Sequence, residues 1–86
     1  MVAPSPLTPA LCRAARAYLG WTQARLADAA GRETPTVRNY ERQDLPGRDS
    51  ERRADRGTVL LIEMAFGAEG ITFTRAAGTE GFTARR

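Results

Sequence analysis

Apolar positions along the chain follow two periodicities, one helical and one extended. Leu11, Ala14, Ala15, Tyr18 and Leu19 recur three and four apart and predict an amphipathic helix. Thr8 stands where a capping hydroxyl is wanted, Pro9 at the first helical position, and Gly20 where a helix end takes a left-handed residue. A second helix is predicted over 22–30, capped by Thr22, with Leu26, Ala27 and Ala30 on one face and Gly31 turning the chain. A third, over 33–43, begins at Glu33 or Thr34 and admits Pro35 in its first turn. Its inward anchors are Val37 and Tyr40 alone, so the rest of its surface is left for solvent or for a ligand.

Residues 44–57 are highly charged and nearly devoid of apolar anchors, which predicts a turn at Pro46-Gly47 and a mobile loop. A fourth helix follows over 58–69, capped by Thr58, and Val59 to Phe66 is apolar on nearly every side. A helix of this kind packs on its own domain and on something else, most economically a second copy of the chain. Leu60, Leu61 and Met64 are the candidate dimer face, joined by Phe73 and Phe82 from the tail. In that tail, Ile71 to Arg75 and Gly81 to Arg85 alternate apolar and polar and predict a short hairpin with Gly78 in the connection. Two strands are marginal alone, so they lie on the fourth helix or extend into a shared sheet.

The picture is one mainly α domain: a flexible arm at 1–7 with Pro4 and Pro6, a body over 8–70, and a C-terminal β-hairpin over 71–86. Composition narrows its chemistry. All 13 basic residues are Arg, against 10 acids. Residues 1–43 hold six Arg and three acids, whereas 44–57 and 58–86 are each balanced, so the net +3 sits with the first three helices. Cys12 is the sole cysteine and there is no His, which leaves no disulfide and no plausible zinc site; Cys12 reads as a buried, inert thiol. Ser5 and Ser50 have no His to activate them, and no glycine-rich phosphate loop follows a strand, so neither enzymatic activity nor a cofactor is expected. Neither a signal peptide nor a membrane span is apparent, which points to the cytoplasm and, for a DNA-binding chain, the nucleoid.

Residues 8–43 resemble the Cro/cI-type, or XRE-like, helix-turn-helix domains of phage repressors and bacterial regulators. The resemblance rests on Arg16, Gly20, Trp21-Thr22-Gln23, Leu26-Ala27, Ala30-Gly31, Thr36-Val37 and Glu41. Small single-domain members are echoed further on, in Glu69-Gly70-Ile71-Thr72-Phe73 and Gly81-Phe82-Thr83-Ala84-Arg85. The resemblance implies a four- to five-helix fold and a sequence-specific transcriptional regulator, a homodimeric autorepressor on a palindromic operator. The alternative use of the same fold is a protein-interaction module, either an antitoxin bound to its toxin or an adaptor for RNA polymerase.

Residue by residue, the resemblance pairs Arg16 with Glu41 in a structural salt bridge; the alternative for Arg16 is a free cation on phosphate. It assigns Gln23, Thr34, Pro35, Arg38 and Asn39 to DNA bases, and Thr22, Arg25, Arg32, Thr36, Arg42 and Arg48 to phosphates. Arg38 suits guanine and Asn39 adenine, although Arg38 suits a phosphate equally well. Two positions depart from the pattern. Arg32 follows the turn glycine where a small or apolar residue is usual, and Glu33 replaces the usual Ser or Thr cap. The segment before the fourth helix is also longer than in the short regulators, and whether its Arg52, Arg53 and Arg56 grip DNA is open.

Overall fold

The computed structural model describes residues 6–43, 56–76 and 79–84. Among these, four helices and a two-stranded antiparallel sheet follow one another: α1 Pro9–Leu19, α2 Gln23–Ala30, α3 Thr34–Glu41, α4 Arg56–Gly67, β1 Ile71–Ala76 and β2 Thr79–Ala84. The fold is mainly helical with a C-terminal hairpin. Most of the arm, the predicted turn at Pro46-Gly47, nearly all of the charged loop with Arg48, Arg52 and Arg53, and both Gly78 and Arg85 lie outside the described residues.

The first two helices begin and end as their sequence dictates. The Thr8 hydroxyl accepts from the Leu11 amide at 3.1 Å and that of Thr22 from the Arg25 amide at 3.0 Å. Both helices stop at a glycine in the left-handed region, Gly20 at φ 71° and Gly31 at φ 69°, a conformation that costs other L-residues strain. Beyond each glycine the next amide reaches back to the helix, Trp21 to the Arg16 carbonyl and Arg32 to that of Ala27, both at 2.9 Å. These two closures fix the angles at which α1 passes into α2 and α2 into α3. Glu33 is the N-cap of α3 but makes no side-chain capping bond, so this start is the weakest of the three.

Several elements differ from their predicted limits. Helix α3 ends at Glu41 rather than at 43, with Arg42 as its cap. Helix α4 starts at Arg56, so Thr58 is no cap but lies buried inside the first turn. Leu7, grouped with the arm, is buried in the core. At the turn β1 runs one residue further and β2 begins two residues earlier, pairing Ile71 with Ala84, Phe73 with Phe82 and Ala76 with Thr79.

One core joins the elements: Cys12 and Ala15 from α1, Leu26, Ala27 and Ala30 from α2, Val37 and Tyr40 from α3, and Ile62, Ala65 and Phe66 from α4, closed by Ile71 and Phe73. Helix α2 packs against both α3 and α4, while α3 also meets α1 and the hairpin lies on α4 and α1. Small side chains at Ala27 and Ala30 let the helices approach. The aromatic rings form a chain that crosses the core at Phe66 and Phe73 and reaches the surface at Tyr18. Trp21 stacks on Phe66 at 5.9 Å, Phe66 meets Phe73 edge-on at 5.6 Å, Phe73 meets Phe82 at 6.1 Å, and Phe82 meets Tyr18 at 5.9 Å.

Candidate nucleic-acid interface

The C-terminal end of α3 is tied to the rest of the domain by one carboxylate. Glu41 is 1% exposed and its two oxygens take four donors. Arg16 Nε and the Cys12 thiol reach Oε2 at 2.7 and 3.0 Å; Arg16 Nη2 and Gln23 Nε2 reach Oε1 at 2.8 and 3.0 Å. Four donors match the four lone-pair positions of an ionised carboxylate, so a charge that would otherwise be costly to bury is fully satisfied. Arg16 uses its third nitrogen on the Trp21 carbonyl at 2.9 Å, and Arg13 donates to the Glu41 backbone carbonyl. The α1 positions 12, 13 and 16 therefore all point at the end of α3.

This arrangement sets the protonation states. Burial alone would raise the Glu41 carboxyl, but the hydrogen bonds from Arg16, Gln23 and Cys12 and the charge of Arg16 hold it below its ordinary value. The Cys12 thiol is pushed far above its ordinary value by burial and then by its bond to, and the charge of, Glu41. It is a donor here and not a nucleophile. Arg16 is raised by its bond to Glu41.

With Val37, Tyr40 and Glu41 turned inward, α3 presents the opposite face to solvent: Pro35, Arg38 and Asn39 are exposed, Thr34 and Thr36 half-buried. Arg32 and Glu33 precede it, exposed, and the half-buried Arg42 follows. Thr22 and Arg25 are exposed at the start of α2. The Arg25 guanidinium lies 4.9 Å over the Trp21 ring and 3.8 Å from the exposed Asp28.

The structure thus brings Arg16 and Glu41 together as a bidentate pair. Thr34, Pro35, Arg38 and Asn39 fall along one helix, and Thr22, Arg25 and Arg32 lie near its two approaches. Gln23 gives its amide nitrogen to Glu41 inside the protein. Sequence reading also missed Cys12 and Arg13 as anchors of α3. Their signal was present: Cys12 and Arg16 are four apart on α1 and so share a face.

Of the five residues assigned to a dimer face, Phe73 is buried within its own chain against Phe66. Alternation along β1 turns Ile71 and Phe73 together onto α4 and leaves Thr72 and Thr74 outside. Leu61 and Phe82 are partly buried against the same core. Leu60 and Met64 remain outward.

Among the described residues no group of His, Cys, Asp and Glu is placed to hold a metal ion, and no helix is long and apolar enough to cross a membrane. No protein-family model matches this chain, and neither does any curated protein.

Proposed function

We propose that this chain is a sequence-specific DNA-binding transcription regulator whose α3 enters the major groove, and that it represses by occluding a promoter, its own included. Such a protein works in the cytoplasm on the nucleoid. The observation that carries the reading is the division of α3 into two faces. One is locked to α1 and α2 through Val37, Tyr40 and Glu41, and the other offers Pro35, Arg38 and Asn39 at a single exposed surface. A rigidly held helix with a polar outer face beside a tight glycine turn has the form needed to read base edges in a groove. The location of the net positive charge in residues 1–43 supports the same ligand.

In this reading Arg38 and Asn39 read bases, with Thr34 and Pro35 shaping the fit. Thr22, Arg25, Arg32, Thr36 and Arg42 set the register on phosphates. Gln23 acts by holding the end of α3, which makes it a positioning residue and not a reader. The test is fluorescence anisotropy of the purified full chain on DNA from upstream of its own gene and on a scrambled duplex, over a salt series. Sequence-dependent binding that survives physiological salt is expected. R38A and N39A should each lose roughly 1–3 kcal/mol of discrimination with the fold unchanged. Binding that ignores sequence and vanishes with salt would overturn the reading.

A further inference from the structure

Helix α3 opens on a carboxylate that the fold leaves unused. Glu33 is the N-cap residue, and a capping side chain accepts from the amide two or three residues further on. Here the first of these is Pro35, which has no amide hydrogen, and the second is Thr36, which donates to the Glu33 backbone carbonyl at 3.0 Å. Val37 donates to the same carbonyl at 3.4 Å. The Glu33 side chain is therefore exposed and makes no capping bond. It lines an open groove between the end of α2 and the first turn of α3, together with Ala27, Asp28, Gly31, Arg32 and Thr36. That groove has two carboxylates and one guanidinium, whereas the exposed surface further along α3 has Arg38 and no acid.

We propose that Glu33 is a specificity-determining residue that accepts from the exocyclic amine of a cytosine. The inference rests on the proposed entry of α3 into the major groove, where residues at the start of such a helix meet the base edges. A carboxylate oxygen only accepts, and so does a phosphate oxygen, so the partner of Glu33 on DNA has to be a donor. Base edges in the major groove offer two, the N4 amine of cytosine and the N6 amine of adenine. Adenine carries its N7 acceptor beside the amine, which repels the second carboxylate oxygen, whereas cytosine has C5–H on that side. Reversing the pair puts guanine O6 and N7 in the same place, two acceptors against an acceptor. The contact discriminates chiefly by penalty. Unmatched, the carboxylate loses hydration and gains repulsion, and only the matching amine compensates.

The test is selection of the full chain on a randomised duplex library, with the bound fraction sequenced, for the wild type and for E33Q, E33A and E33S. The wild-type motif should hold a column fixed as cytosine. E33Q should turn that column to adenine, because a glutamine amide pairs with adenine N6 and N7, and leave the other columns as they are. E33S supplies a preferred capping residue, so it should lose the cytosine column without lowering the melting temperature. By fluorescence anisotropy, the wild type should bind the selected duplex roughly tenfold more tightly than the same duplex with that one pair reversed, and E33A should not distinguish them.

A motif that E33A keeps in every column, with tighter binding to all duplexes, would overturn the proposal, since Glu33 would then only repel phosphates. So would a weakening of all columns together, which would mean that Glu33 acts through the fold of α3. Either result leaves the DNA-binding reading standing, whereas a wild type that selects no motif at all removes that reading and this proposal with it.

Discussion

Helices α3 and α4 each bury one face in the same core, yet they are held there by different physics. Helix α3 is fastened at its end by directional bonds to Glu41, and its outer face is polar. Helix α4 is fastened by area, through Ile62, Ala65 and Phe66, and its outer face carries Leu60 and Met64. A carboxylate with four defined donors tolerates little rotation of the helix that bears it, whereas aromatic contacts accept a range of angles at similar energy. The helix with the polar outer face is the one anchored by hydrogen bonds. The helix that presents a greasy stripe needs no such fixing.

The contrast is broken most severely at α4. Phe66→Ala removes the ring shared by Trp21 and Phe73 and should cost about 4 kcal/mol. In a domain of this size that is a large share of the stability, and a melting curve should fall by on the order of 20 °C. Glu41→Ala follows. It leaves Arg16, 19% exposed, without its partner and should cost roughly 3 kcal/mol, seen as a lower denaturant midpoint. Glu41→Gln keeps the shape and one acceptor and should cost less; equal losses would mean that the ionised form contributes nothing.

The two anchors should also part company with pH. Glu41 is depressed in the folded state, so its contribution is present above the unfolded carboxyl value and is lost as pH falls through the lower folded value. Cys12 is raised, so its contribution is present below the ordinary thiol value and fades as pH climbs above it, because the unfolded chain then ionises freely. Melting temperatures of the wild type should therefore drop at both extremes. Glu41→Gln should flatten the acid limb and Cys12→Ala the alkaline limb, while a Leu60→Ala control keeps both.

The smallest expected effect on stability is at the outer face of α3. Arg38→Ala should move the melting temperature hardly at all, since exposed substitutions away from special contacts stay within ~0.5 kcal/mol. A large loss there would mean that Arg38 supports the fold and is not held out for a ligand.

Much of this was legible in the linear order of residues. Caps at Thr8 and Thr22 and glycines at 20 and 31 act within a turn of their own position, so they declare α1 and α2 without reference to the rest of the chain. The Arg16 to Glu41 pair was reached through resemblance, since nothing local links positions 25 apart. The start of α4 was misplaced because Thr58 looks like a cap; burial inside the domain outweighed that local preference.

The sequence by itself determined the elements, the glycine turns and the inward faces of the helices, because periodicity and capping are properties of neighbouring residues. Only the tertiary structure decided that Phe73 belongs to the core while Leu60 and Met64 do not, and that Gln23 and Cys12 turn to Glu41. Those outcomes depend on which elements meet in space, and the competition among distant side chains for one carboxylate or one aromatic pocket is settled only when the chain has closed on itself.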